Sequence, residues 1–159
     1  MVALAFIAGA GALAASQGSA AATKSVLISD VTVTAAAKGS DSAVTLTIVN
    51  ATDQPISLLS IKSPSAGADM IFFDTNMCRG NHSMTALANI YLSSGLTQKL
   101  GYVRQGAMLS ALHQSLTKGQ HIAIVVTWSN FNKVHHETIE ALVVAAPAHI
   151  RFRMGNMTT

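Results

Sequence analysis

Short segments in which apolar and polar residues alternate recur along this chain between residues 25 and 144, and turns separate them. The clearest is SAVTLTIVN at residues 42–50. Its apolar side chains Val44, Leu46 and Ile48 fall on one face, and threonines fall on the other. Alternation with a period of two is typical of a half-buried strand. Repeated short strands at turn spacings of roughly eight to twelve residues predict an all-β sandwich or barrel.

The other segments are assigned on the same pattern, and two of them carry extra information. Between Ile28 and Val31 the alternation changes register, which predicts a β-bulge. The segment before Val144 becomes wholly apolar, as a central strand does. The predicted strands are 25–36, 42–50, 56–64, 69–74, 86–92, 97–103, 108–112, 121–129 and 134–144. Residues 75–83 are predicted to form a loop.

Charge is scarce and scattered, which excludes some classes of function. Only 11% of the residues are charged, and the formal net charge is +3. Without a basic stripe or interleaved aromatic residues, nucleic-acid binding is not expected. Neither a G-x-S-x-G nor an H-E-x-x-H pattern occurs, so no enzymatic activity is predicted. The single cysteine, Cys78, cannot form an internal disulfide.

The two ends of the chain differ from the strand-rich part, so three regions are predicted. Residues 1–22 have an apolar run followed by small residues, the pattern of a secretory signal peptide, although no basic residue precedes Lys24. An uncleaved membrane anchor is the alternative. Residues 25–146 form the β domain, and residues 147–159 are predicted to be a tail. Export to the periplasm or another extracytoplasmic space follows, with membrane association through the first region.

Soft metal ligands are concentrated in the middle of the chain. Met77, Cys78, His82 and Met84 lie within DTNMCRGNHSM, and Met108 follows a predicted strand. Thioether, thiolate and imidazole groups favour Cu(I), whereas hard cations prefer oxygen ligands. These five residues are therefore the candidate metal ligands. The alternative for Met84 and Met108 is that they fill gaps in an apolar core.

The framework of the chain resembles a known family from about residue 31 to 144. Residues 43–73, AVTLTIVNATDQPISLLSIKSPSAGADMIFF, and residues 108–128, MLSALHQSLTKGQHIAIVVTW, are similar to the periplasmic copper chaperones called PCuAC. The resemblance implies a cupredoxin-like Greek-key β-sandwich or barrel. It also implies Cu(I) as the bound metal and delivery toward cytochrome c oxidase.

The metal motif of that family is only half kept in this chain. Aligning Met84 and Met108 on the two motif methionines preserves their spacing, and it places Phe72 and Gly106 where the family has histidines. Three explanations remain open. Met77, Cys78 or His82 supplies the missing ligands, or the site has been lost, or copper binds elsewhere.

Two functions are compatible with these observations. The first is an exported copper-chaperone-like domain that passes Cu(I) to a cuproenzyme by ligand exchange. The second is a metal-free accessory subunit that uses the same fold inside a larger periplasmic or membrane-bound complex.

Adjacent His135 and His136 are not expected to chelate a metal together, because neighbouring side chains of a strand face opposite ways. His149, Met154 and Met157 in the tail are a weaker ligand pattern.

Overall fold

The computed structural model describes residues 24–67, 69–78, 81–102, 104–131 and 133–147, with residues 69–71, 75–78 and 81–84 described by their backbone alone. These residues form ten strands and no helix. The all-β prediction is therefore confirmed. The strands are β1 (Val26–Thr34), β2 (Ser42–Asn50), β3 (Ile56–Lys62), β4 (Asp69–Cys78), β5 (Asn81–Leu87), β6 (Ile90–Leu92), β7 (Thr97–Leu100), β8 (Gln105–Ser110), β9 (His121–Asn130) and β10 (Lys133–Val144).

All ten strands belong to one sheet that curls into a nearly closed barrel. Its order is β5-β4-β8-β2-β1-β10-β9-β3-β6, and β7 pairs with β2 beside β8. Because β7 follows β6 after a short turn, the chain returns from one edge of the sheet to its middle. Only β1 and β10 run parallel among the described pairs. β10 lies between β1 and β9, as expected for a central strand.

The core lies inside the barrel and is built by the alternation that the sequence displays. Val44, Leu46 and Ile48 of β2 are at most 2% exposed, whereas the threonines between them are half-buried. Leu58, Ile124 and other aliphatic side chains complete the same cluster. Fully burying one such side chain contributes roughly 1.5–3 kcal/mol. The interior is thus an ordinary apolar core.

The register change predicted in the first strand is a β-bulge. The pairing of β1 with β2 shifts between Ser29 and Thr32. Asp30, within the shift, has a φ of 54°, which few residues other than glycine adopt readily. Its carboxylate accepts a hydrogen bond of 3.1 Å from the Thr47 hydroxyl, so the polar side chain helps to hold the bulge.

Asn50 is a buried polar residue that ties two turns together. Its side chain is 0% exposed and continues the inward-facing row of β2. The Nδ2 group donates to the backbone oxygens of Gln54 at 2.8 Å and of Leu92 and Ser93 at 3.2 Å. Its Oδ1 accepts from the hydroxyl of Thr52 at 2.6 Å. A buried amide with all these partners stabilises both turns.

The two ends of the barrel differ in the turns and segments that they carry. The N-terminal end is where β1 begins and where the turns 51–55 and 93–96 and the β9–β10 connection lie, as the pairs Val26 with Asn50 and Lys133 with Asn130 show. The opposite end carries the turn 37–41 and the segment 111–120. The described residues contain no helix that is long and apolar enough to span a membrane. The predicted signal segment and residues 148–159 of the predicted tail lie outside the described residues.

Candidate functional site

Four of the five candidate metal ligands lie on a two-stranded ribbon, not on the loop predicted for residues 75–83. That loop prediction was wrong, because β4 extends to Cys78 and β5 begins at Asn81. β4 pairs with β8 only as far as Asp74 and pairs with β5 as far as Cys78. The ribbon, residues 75–78 and 81–84, therefore continues beyond the strand that anchors β4 in the barrel.

The ribbon register brings two candidate ligands directly opposite each other. Met77 pairs with His82, and Cys78 pairs with Asn81. Met84 pairs with Thr75, two positions further from the tip on each strand. Side-chain positions of Met77, Cys78, His82 and Met84 lie outside what the structure describes. At the level of the backbone, the ribbon gathers these four residues into one short segment of paired strands.

The same register does not bring Met84 opposite Met108. Met84 lies across from Thr75, whereas Met108 of β8 lies across from Ile71. β4 stands between the two methionines, and their partners on it are four residues apart, a distance of about 13 Å along the strand. The spacing that the chain shares with the copper chaperone motif thus does not place these two methionines as cross-strand neighbours.

Met108 belongs to a second buried layer on the outer face of the barrel. Phe72, Ala107 and Leu109 contribute to the main core. The residues that alternate with them, Phe73 and Met108, face the other way and are also buried, at 1% and 0% exposure. A completely buried thioether usually fills space in a packed layer, and at 0% exposure Met108 is not open to an exchanging metal ion in this conformation.

Gly106 is the position at which the second buried layer is tightest. It pairs with Phe73, and a Cβ atom added to it would lie 2.8 Å from Phe73 Cε2 and closer still to Phe73 Cζ and the carbonyl oxygen of Gly101. The Phe73 ring therefore fills the space that a side chain at position 106 would need. The motif alignment paired Phe72 with Gly106 as the two former histidine positions. In the structure it is Phe73 that shares a face with Gly106 and Met108.

The segment before β8 borders this packed layer. Gly101 N donates to the backbone oxygen of Gln105 at 3.0 Å, which closes the turn. Partial burial raises the pKa of the Tyr102 phenol above its ordinary value of 10.0. Because the folded state disfavours the phenolate, this group lowers the stability only at a pH above 10 and leaves it unchanged at neutral pH.

A cleft of about 520 Å³ opens at the N-terminal end of the barrel. The Trp128 ring forms part of its wall and stacks on His135, with ring centroids 5.6 Å apart and an interplanar angle of 10°. His136, the next residue, instead makes a 3.0 Å hydrogen bond to the Thr127 hydroxyl. The two histidines thus face different neighbours and do not chelate together, as predicted. The remaining cleft residues are Lys24, Ser25, Val26, Thr52, Asp53, Gln54, Ile56 and Asn130.

The Trp128–His135 stack was not predicted, although the sequence carries a signal for it. The two residues pair directly across the β9–β10 hairpin. Counting inward from the turn at Phe131 would have aligned them. Among the side chains that the structure describes, no three His, Cys, Asp or Glu residues converge on a common point.

Replacing His135 with alanine is expected to lower the free energy of unfolding by about 1 kcal/mol, because an aromatic stack contributes roughly that amount. Urea denaturation would measure the loss of stability. The near-ultraviolet circular dichroism of Trp128 would report the loss of the stack. The variant His136→Ala is the matched control, since His136 lies beside the stack but outside it. Equal losses for the two variants would contradict a specific role of the stack.

Solved structures of similar fold were found by comparison with this one. The copper-bound PCuAC domain from PmoF2 has a TM-score of 0.61 at 18% sequence identity, covering 79% of this chain and 97% of that domain. The apo PCuAC domain from PmoF1 has a TM-score of 0.60 at 16% identity, covering 76% and 94%. The Cu(I) form of DR1885 from Deinococcus radiodurans has a TM-score of 0.54 at 23% identity, covering 80% and 83%. These similarities confirm the predicted PCuAC-like β-barrel fold.

The sequence comparison identifies the family. Among curated proteins the chain has no match. The sequence model described as "Putative lipoprotein LpqE-like" matches residues 26–141, which spans β1 to most of β10 and more than half of the chain. This chain therefore belongs to the LpqE-like family, whose fold here is that of the PCuAC domains.

Proposed function

We propose that this protein is an exported, copper-chaperone-like domain that carries Cu(I) on the ribbon through Met77, His82 and Met84. The observation that carries the proposal is the ribbon register, which pairs Met77 with His82 and places Met84 two positions along the strand from His82. Thioether and imidazole donors form a set suited to Cu(I). The cargo would pass to a cuproenzyme such as cytochrome c oxidase.

Strand geometry supports the choice of donors. Directly opposed residues of an antiparallel pair have Cβ atoms about 5 Å apart, and residues two apart on a strand share a face. By register, the Met77, His82 and Met84 positions share one face of the ribbon. Three neutral donors there are enough for a three-coordinate Cu(I) ion. A two-stranded ribbon without further support is marginally stable, which suits a site that must release its metal.

The comparisons support copper as the cargo but not the position of the site. The domains of similar fold include one described as copper-bound and one described as the Cu(I) form. In this chain the layer around Met108 is packed by Phe73, and Gly106 leaves no room for an imidazole. A site that uses Met108 as a ligand would require the outer layer to open.

Anaerobic titration of Cu(I) against a chromophoric chelator tests this proposal. Wild-type protein is expected to bind one Cu(I) with a sub-micromolar Kd. The double variant Met77→Leu with His82→Ala is expected to bind about 100-fold more weakly, a loss of about 2.7 kcal/mol. Cys78→Ser is expected to change the Kd by less than about threefold, because neighbouring positions of a strand face opposite ways and Cys78 follows Met77 directly.

Met108→Leu is the matched control, since it removes a buried thioether at nearly constant volume. It is expected to change the Kd for Cu(I) by less than about threefold. Loss of binding in Met108→Leu, with retention in the ribbon double variant, would move the site to the outer layer and contradict the proposal.

The packed layer favours a second candidate function, a metal-free accessory subunit of a larger periplasmic or membrane-bound complex. The complete burial of Met108 and the close contact of Phe73 with Gly106 are what a domain without a metal centre needs for stability. Absence of Cu(I) binding by the wild type, together with co-purification in a stoichiometric complex, would establish this function in place of the first.

A further inference from the structure

Exposed apolar side chains are concentrated at the N-terminal end of the barrel. Six large apolar residues are exposed among those that the structure describes, and five of them lie at this end. They include the most exposed one, Phe131, at 74%. The sixth, Leu142, lies toward the opposite end, because it pairs with His121 at the start of β9. The five are Leu27, Tyr91, Leu96, Phe131 and Val134.

These five side chains are spread over the neighbouring strands β1, β10, β9, β3 and β6 and the turn 93–96 at the N-terminal end. Phe131 and Leu96 are in two different turns at the tip of the barrel. Tyr91 and Val134 are outward-facing positions on β6 and β10, with β3 and β9 between them, as the pairs Tyr91 with Ser57 and Val134 with Ser129 show. Leu27 lies on β1, on the other side of β10. Apolar groups spread over several strands and turns at one end fit the flat surface of a membrane better than a protein partner that contacts one side.

The chain enters the barrel at this same end. Lys24 immediately precedes β1, and Ser25 is held by a 3.0 Å hydrogen bond from Ala51 N to its backbone oxygen. In the sequence, residues 16–23 separate Lys24 from the apolar run of residues 2–15. Eight residues span at most about 29 Å when fully extended. In the uncleaved form of the chain, whatever holds the apolar run therefore keeps the N-terminal end of the barrel within that distance.

Charges at this end are compatible with lipid headgroups. Lys24 forms an exposed ion pair of 2.7 Å with Asp53, so these two charges offset each other. Lys133 is exposed beside Phe131. A cationic group next to an exposed aromatic ring is the combination that binds at a membrane interface, where the ring enters the headgroup region and the ammonium group meets phosphate.

From these exposed apolar residues and the point where the chain enters, we propose that the N-terminal end of the barrel rests on a lipid bilayer, with Phe131 and Leu96 in the headgroup region. The registers of β4 with β8 and of β8 with β2 direct the ribbon toward this same end. None of the observations used for the membrane contact involves the ribbon, so the inference does not depend on copper binding. It assigns a fixed orientation to the domain: the end with segment 111–120 points away from the membrane and is available to soluble partners.

Tryptophan quenching by brominated lipid tests the orientation in the full chain. Phe131→Trp and Leu142→Trp place the same probe at the two ends, and both positions are exposed and apolar in the wild type. The protein is added to vesicles of phosphatidylcholine and phosphatidylglycerol with bromine on the acyl chains. Because Trp128 is present in both variants, its signal in the wild type is subtracted. Phe131→Trp is expected to be quenched at least about threefold more strongly than Leu142→Trp.

Three other outcomes would overturn the proposal. Equal quenching at the two positions would mean that the N-terminal segment tethers the domain without orienting it. Stronger quenching of Leu142→Trp would reverse the orientation. A blue shift of Phe131→Trp that depends on protein concentration and not on lipid would assign the exposed apolar residues to a contact between copies of the chain. Near-ultraviolet circular dichroism of each variant verifies that the barrel is folded.

Discussion

Replacing Gly106 with alanine is expected to lower the free energy of unfolding by about 3 kcal/mol, in spite of the small size of the change. The added methyl group would overlap the Phe73 ring on one side and the carbonyl oxygen of Gly101 on the other. The ring is 1% exposed and has no free space to move into. Urea or guanidinium denaturation, followed by circular dichroism, gives the free energy directly.

The variant Gly106→His extends the same argument to the residue that the copper chaperone motif has at this position. We expect it to be more destabilising than Gly106→Ala, because the imidazole requires the volume that Phe73 occupies. The double variant Gly106→His with Phe73→Ala should therefore lose less free energy of unfolding than the sum of the two single losses. A coupling energy of at least about 1.5 kcal/mol in that double-mutant cycle would identify the Phe73 ring as the group that excludes histidine.

Gly101→Ala is the matched control for this series. Gly101 is in the adjacent turn, and a Cβ atom added to it meets no atom within 4 Å. We expect its stability to stay within about 0.5 kcal/mol of the wild type. If Gly106→Ala were equally neutral, the Phe73 ring would not lie over Gly106, and the argument for a closed outer layer would lose its basis.

The strands whose alternation reflects burial could be predicted from the sequence, and the ribbon could not. β2 begins at Ser42 and ends at Asn50 as predicted, because one face of it lies in the core. Residues 75–78 and 81–84 mix polar residues with Met77, Cys78 and Met84, without a regular alternation, and the turn-forming residues Gly80 and Asn81 lie where the two halves meet. Their strand conformation follows from the continuation of β4 and its pairing with β5, which are long-range effects that no local pattern reports.

The candidate site shows a related limit. Spacing along the chain suggested that Met84 and Met108 meet, but spacing does not reveal that β4 lies between them. Phe72 and Phe73 face opposite ways, as neighbours on a strand do: Phe72 joins the main core, while Phe73 lies against Gly106. The sequence could not reveal that the outer face of β4 is buried at Phe73 as well. Whether this face is a packed layer or an open metal site depends on the burial of Phe73.

Replacing Asn50 with aspartate is expected to lower the free energy of unfolding by about 4 kcal/mol at neutral pH, the largest effect of a nearly isosteric change in this barrel. The amide donates to the backbone oxygens of Gln54, Leu92 and Ser93. A carboxylate has no donor, so the three carbonyl oxygens would lose the Nδ2 group, and those of Gln54 and Ser93 would keep only the Thr52 hydroxyl and Leu96 N. A negative charge would face all three oxygens at a position with 0% exposure.

The pH dependence distinguishes this mechanism from a simple loss of packing. Burial beside carbonyl oxygens raises the folded-state pKa of an aspartate at position 50 above its unfolded value. The folded variant therefore binds more protons than the unfolded one, and its stability increases as the pH falls. Its deficit relative to the wild type should shrink between neutral and mildly acidic pH, where the protonated acid regains one donor. Asn130→Asp, at the half-exposed end of β9, is the matched control and should show neither the deficit nor the trend. A deficit for Asn50→Asp that does not change with pH would show that the buried charge is not its cause.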